Sequence, residues 1–280
     1  MKDTGVHENP LVPNAKLRQI YLAMAEARVL DEHVTRLQRR SKRGKLESTR
    51  WQEACRVSTA IDLAPGDLVS DSQVGVVMDL IAGAKVSSLL KRVAEIRSGK
   101  KAAGSTRSGV SRRSLPWVDD AEERVKLAMG AALGFKTAGQ TNIVIAYVRH
   151  REIREAVWRR LLGLASKLEL PVIFVILPAG GRKRGGANLN RKTAKWGVPG
   201  FPVDAGDAVA LYRVAQESLG RTRGGDGPVL IECIEFGAGG KAGGPVDPLP
   251  VMKNFLLGRS VCTEAWAKAA GNRLRMKPRD

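Results

Sequence analysis

Apolar residues recur every three or four positions through KLRQIYLAMAEARVLDEHVTRLQRRS, residues 16–41. They place Ile20, Met24, Ala27, Leu30, Val34 and Leu37 along one side of a helix. A second helix is expected in STRWQEACRVSTAIDL, where Thr49 and Gln52 have the spacing of a capping box and the turn residues of APGD end the element. DSQVGVVMDLIAG and KVSSLLKRVAEIRS repeat the helical spacing. From 97 to 116 that spacing vanishes and Gly, Ser, Lys and Arg dominate, the composition of a mobile loop.

The second half has another rhythm. EERVKLAMGAALGFKTAG reads as a helix with a small-residue face, and NIVIAYV is a continuous apolar run of the kind found in a strand covered on both sides. PVIFVIL and VLIECIEF are two more such strands. Between them lie REIREAVWRRLLGLASKLEL, with Ile153, Val157, Leu161, Leu164 and Leu168 as its apolar stripe, and the helix DAVALYRVAQESLGRT with a GGDGP turn. Buried strands alternating with amphipathic helices predict an α/β fold: a mainly parallel sheet, right-handed crossovers and helices on both faces. The expected organisation is a flexible N-terminal segment (1–15) followed by a single α/β domain (16–280). Within the domain, 16–96 is helical, 97–116 is a basic loop, 117–236 carries the sheet and 237–280 is a C-terminal tail.

Ligands of such sheets sit beyond the carboxyl ends of the strands. At one such place NIVIAYV runs into a helix whose first turn is expected to hold Arg149, His150 and Arg151. Cations at a helix start oppose its dipole by roughly 0.3–1 kcal/mol each. Either the three form a hydrated patch paired with Glu152 or Glu155, or an anion lies against them.

Composition narrows the classes. The chain has 280 residues, 43% of them hydrophobic and only 5% aromatic, with 30 glycines, which favours close helix-on-sheet packing over an aromatic-rich sandwich. No apolar run is long enough for a membrane span and the N-terminus lacks an apolar signal core, so a soluble cytoplasmic protein is expected. Cys55, Cys233 and Cys262 lie far apart inside apolar patterns and read as buried thiols. The net charge of +19 points toward polyanions, RNA among them. Its clusters are scattered, however, and carry no interleaved aromatics on which bases could stack, so a basic solvated surface explains them equally well.

Familiar motifs fail on inspection. GAGGKAGG misses the phosphate-loop pattern because Ala242 follows Lys241, and GKKAAGS has the letters in the wrong order. His7, His33 and His150 lie in separate segments without a triad partner at a recognisable spacing.

Several ordered pieces resemble one family. WQEA (51–54) is similar to G-Q-E-A, LAPGD to L-x-P-G-D, and MGAALGFK (129–136) to G-A-A-x-A-x-K. LGLASKLELPVIFV, WGVPGFPVDAGD (196–207, against Y-G-x-P-G-x-x-V-D-G-x-D), GPVLIECIEF and VDPL continue the order. From about residue 17 to 268 the chain resembles the alpha subunit of the thiamine diphosphate-dependent 2-oxo acid dehydrogenases, the pyruvate and branched-chain type. The resemblance implies a thiamine diphosphate-binding fold and oxidative decarboxylation of a 2-oxo acid with acyl transfer to lipoamide. It also implies a hetero-oligomer in which a beta-subunit-like chain shares the cofactor. Gly130, Ala131, Ala132 and Gly134 would let the 121–138 helix approach either such a partner or this chain's own sheet closely.

In that family the cofactor's diphosphate is held through magnesium by G-D-G after one strand and N-N after the next, with a Tyr-Arg pair touching the phosphates. Here the G-D-G position reads Arg149-His150-Arg151, N-N reads Pro178-Ala179, and Tyr-Arg reads Gln73-Val74. The active-site-loop histidine of R-x-x-G-H-S falls at Lys241. Magnesium prefers six oxygens, which Pro178 and the Ala179 side chain do not offer, so no metal site is expected and thiamine diphosphate is expected by family alone. Three readings stand: an alpha-subunit-like pseudoenzyme that has lost its cofactor contacts, an active enzyme with an altered diphosphate site, or a polyanion-binding protein on this scaffold. In the first two, cationic groups at 149–151 could meet a phosphate-bearing anion directly.

Overall fold

The computed structural model describes residues 11–38, 48–71, 76–81, 88–89, 113–116, 118–178, 189–235 and 246–276. Gln73, Val74, Ala179, Lys241, His7 and most of the 97–116 loop lie outside them. In chain order the elements are α1 (Asn14–Gln38), α2 (Glu53–Ala60), β1 (Leu68–Ser70), α3 (Val76–Ile81), α4 (Ala121–Thr137), β2 (Val144–Arg149) and α5 (Glu155–Lys167). There follow β3 (Val172–Leu177), α6 (Leu189–Thr193), a 3-10 turn (Ala194–Trp196), β4 (Gly200–Asp204), α7 (Ala208–Arg223), β5 (Val229–Ile234), α8 (Pro248–Gly258) and α9 (Glu264–Met276).

The five strands form one parallel sheet in the order β1-β2-β3-β5-β4. Side chains alternate across a strand, so each apolar run feeds two cores. Ile145, Tyr147, Ile173, Val175, Ile231 and Cys233 face a layer containing α1, α2, α7, α8 and α9. Val144, Ala146, Val148, Phe174, Ile176 and Leu230 face α4 and α5. Burial on both faces is why these strands read as unbroken apolar runs. Aspartates start three of the helices: Asp120 accepts from Glu123 N–H (2.8 Å), Asp207 from Val209 and Ala210 (3.0 and 2.9 Å), and Asp247 from Leu249 (3.1 Å).

Several expectations change. Thr49 is not a helix cap: its N–H and hydroxyl bond Asp31 (2.7 and 3.2 Å), and Gln52 precedes α2 without a side-chain cap. The buried face of α5 is Val157, Trp158, Leu161, Leu162 and Ala165, while Leu164 is 50% exposed and Leu168 37%. Ile153 lies in the turn before α5, so it could not set the helix phase. The expected helical stretch 16–96 contains the strand β1, and Arg113–Leu115 pair along it through Val69 N–H to Arg113 O (2.6 Å) and Leu115 N–H to Val69 O (2.8 Å). Val12 is fully buried and α1 starts at Asn14. The expected tail supplies α8 and α9; Met252 and Leu256 of α8 and Val261 of the connection between them join the core with α1. On α4 Ala132 packs inward, whereas Gly130 and Gly134 face open space. Cys55 and Cys233 are buried free thiols.

Candidate functional site

The carboxyl edge of the sheet brings together the ends of β2, β3 and β5. Arg149 is the last residue of β2, opposite Leu177 of β3, and His150 N–H donates to Leu177 O at 2.8 Å. A tight turn follows: Arg149 N–H donates to Glu152 Oε2 (2.9 Å), Glu152 N–H to Arg149 O (3.1 Å), and the buried Arg124 pairs with Glu152 at 3.0 Å. Helix α5 begins only at Glu155, with Arg154 as its cap residue. Arg149, His150 and Arg151 therefore precede the helix, and its first turn carries an acid, which suits the dipole. The cation at the helix start is thus Arg154 and not the three expected residues. Strain sits elsewhere: Arg151 has φ +73, a left-handed conformation that favours glycine.

His150 and Glu232 share a sheet face, because Val148 pairs with Ile176 and Ile176 with Glu232 across the strands. His150 Nε2 lies 3.7 Å from Glu232 Oε1, longer than a direct hydrogen bond. Glu232 is buried and accepts from the N–H groups of Leu189 (3.3 Å) and Asn190 (2.8 Å). Burial pushes its carboxyl up, but His150 and these two N–H groups outweigh that and hold it below its ordinary value. No motif pointed to Glu232. The available signal was a carboxylate in the middle of the apolar run VLIECI.

Beside this pair opens a cleft of about 300 Å³ between the 150–154 turn, α5 and α6. Ile153, Trp158, Ile176 and Leu189 form its apolar wall, and Trp158 is held edge-on against Phe174 with ring centroids 5.8 Å apart. His150, Arg151, Arg154 and Lys192 supply its basic side, with Glu155 tied to Lys192 at 2.5 Å.

The donors here do not fit magnesium. Pro178 is buried at the end of β3 and brings no side-chain oxygen, and His150 offers only ring nitrogens. Both oxygens of Glu232 are engaged by N–H donors. Among the described residues no group of three His, Cys, Asp or Glu side chains is arranged to hold a metal.

Two polar clusters in the α1/α2 layer went unnoticed as such in the sequence, although WQEA contributes to both. Arg56 is fully buried, pairs with Asp71, donates to Gln52 Oε1 (3.2 Å) and lies 5.3 Å from the Tyr147 ring centroid. The Tyr147 hydroxyl is 2.6 Å from Thr59 Oγ1, and burial pushes its pKa up, which keeps the phenol neutral. Arg28 bonds Glu53 and both oxygens of Asp247, while Glu53 Oε2 has no hydrogen-bond partner among the described residues.

Known proteins carry related sequences. The dehydrogenase E1 component family model matches residues 21–242. The 3-methyl-2-oxobutanoate dehydrogenase subunit alpha of Mycobacterium tuberculosis is 24% identical over 239 residues, covering 81% of this chain and 62% of that relative. The pyruvate dehydrogenase E1 component subunit alpha of Staphylococcus epidermidis is 24% identical over 245 residues, 84% of this chain and 65% of the relative. The alpha subunit of acetoin:2,6-dichlorophenolindophenol oxidoreductase from Bacillus subtilis is 31% identical over 120 residues, covering 39% of this chain and 35% of the relative. The chain thus spans less than two thirds of these relatives' lengths. A solved chain described as a thiamin diphosphate-dependent enzyme from Mycobacterium smegmatis overlaps 64% of this one and 31% of its own length, with TM-score 0.41 and 16% identity. With a family model matched along residues 21–242, the chain belongs to the dehydrogenase E1 component family, as an alpha-subunit-like member.

Proposed function

We propose that this chain is an alpha-subunit-like pseudoenzyme that assembles with a beta-subunit-like chain and has lost the magnesium bridge by which its family holds thiamine diphosphate. The observation that carries the reading is the His150–Glu232 pair at the G-D-G position, beside Pro178 at the N-N position. An imidazole facing a committed carboxylate, next to a residue without a side-chain oxygen, cannot supply the hard octahedral ligands magnesium demands. Thiamine diphosphate, where it is bound, supplies carbanion stabilisation that no side chain at this edge provides. Assembly is supported by the outer face of α4, where Gly130 and Gly134 leave open space around the exposed Leu133.

The test is a calorimetric titration of the chain, co-expressed with a beta-like chain from a neighbouring reading frame, with thiamine diphosphate and magnesium. Co-purification of the two chains and no saturable heat are expected. Saturable magnesium-dependent binding at micromolar cofactor overturns the loss of the bridge, and failure to co-purify overturns the partnership.

A further inference from the structure

We propose that the cleft beside His150 binds, without any metal, a small ligand that has an oxyanion head and a flat apolar body. This deepens the proposed function, because it rests on the loss of the magnesium bridge at the same edge. Three permanent cations, Arg151, Arg154 and Lys192, line the cleft against a single carboxylate, Glu155. Lys192 neutralises Glu155 at 2.5 Å. The carboxylate behind the cleft, Glu232, is turned to the N–H groups of Leu189 and Asn190 and to His150. Among the described residues the side chains of Arg151 and Arg154 make no hydrogen bond or ion pair, so both are available to an anion. Arginine meets carboxylate and phosphate oxygens through paired N–H donors, a geometry that needs no bridging metal.

The opposite wall sets the rest of the ligand. The parts of Ile153, Trp158, Ile176 and Leu189 that reach the cleft are hydrocarbon, so a ligand held by the cations meets apolar edges on its other side. A volume of about 300 Å³ lies at the small end of ligand pockets, roughly 300–1,000 Å³. An aryl acid matches that volume.

Arg151 is the decisive residue. A bulky side chain at φ +73 is disfavoured, and such strain persists where the side chain has work to do or the surroundings impose it. Arg151→Gly removes the cation while relieving the backbone, so a loss of binding cannot be blamed on misfolding.

The experiment titrates the full chain with phenyl phosphate, benzoate and inorganic phosphate by calorimetry, in buffer containing EDTA. Phenyl phosphate or benzoate should bind with EDTA present, whichever is tighter naming the head group, and inorganic phosphate should bind more weakly. Arg151→Gly should keep or raise the melting temperature and lower the affinity roughly tenfold or more. No binding of either aryl probe, equal affinity for inorganic phosphate, or unchanged affinity in Arg151→Gly overturns the inference. None of these outcomes bears on thiamine diphosphate with magnesium, so the two readings fail separately.

Discussion

Asp247 accepts two hydrogen bonds from Arg28, at 3.0 and 2.8 Å, and so ties the start of α8 to the middle of α1 across 219 residues of chain. The same carboxylate caps α8 through Leu249 N–H. Asp247→Asn keeps the cap and removes the ion pair. Because Asp247 is about one third exposed, the cost is set well below that of a fully buried pair, at about 1–2 kcal/mol. Asp247→Ala adds the cap, about 1 kcal/mol more. Urea denaturation of the two variants measures the difference, and equal costs would refute the division of labour.

Arg56 and Asp71 are both buried, so removing either leaves a charge without its partner. Arg56→Ala should cost about 3–5 kcal/mol, whereas Arg56→Met with Asp71→Asn should recover most of that loss. A double-mutant cycle by denaturant titration checks it. Additive costs would show that the pair is not coupled.

The acid response follows from two carboxyls of depressed pKa. In Asp247 burial raises the value but Arg28 and Leu249 N–H outweigh it. In Glu232 burial is outweighed by His150 and the N–H groups of Asn190 and Leu189. Each binds its proton more weakly in the folded state, so its stabilising contribution is present above the unfolded value and lost as pH falls through the lowered one, below roughly pH 4. Glu53 has the opposite sign: burial raises it more than Arg28 lowers it, so the folded chain takes up its proton readily and acidification relieves a penalty. Stability measured against pH should fall less steeply in Glu232→Gln and more steeply in Glu53→Gln than in the parent chain. Parallel curves would contradict both assignments.

Leu161 and Leu164 test the corrected phase of α5, since the first is 7% exposed and the second 50%. Leu161→Ala should cost about 2–5 kcal/mol and Leu164→Ala within about 0.5 kcal/mol in the isolated chain. Thermal denaturation distinguishes them, and a large cost at Leu164 would restore the stripe of 153, 157, 161, 164 and 168.

The central strands were legible because both of their faces are covered: NIVIAYV and PVIFVIL need no partner information to be recognised as buried. GFPVD was not read as a strand. It forms the edge strand β4, with Pro202 in the register and only Val203 fully inside, so neither alternation nor a continuous run marks it. The three residues of β1 are too few to carry a period. Residues 149–151 and 178, named in the sequence from ordered motif resemblance, follow one another at the adjacent ends of β2 and β3. Glu232, Leu189, Lys192 and Trp158 were not named, because they reach that edge from β5, α6 and α5, and no spacing in the chain encodes their meeting.

Local order along the chain determined which segments are buried strands and which are amphipathic helices, because side-chain periodicity is a property of neighbours in sequence. It likewise determined that positions 150 and 178 carry an imidazole and a proline, neither of which has a side-chain oxygen, since residue identity alone decides what donors exist. Only the tertiary structure decided that Arg151 sits in a turn ahead of the helix, that His150 faces a carboxylate 82 residues later in the chain, and that an apolar wall stands beside the cations. Those relations are set by strand register and by helix packing across the sheet, and distance in space between remote segments leaves no local pattern to read.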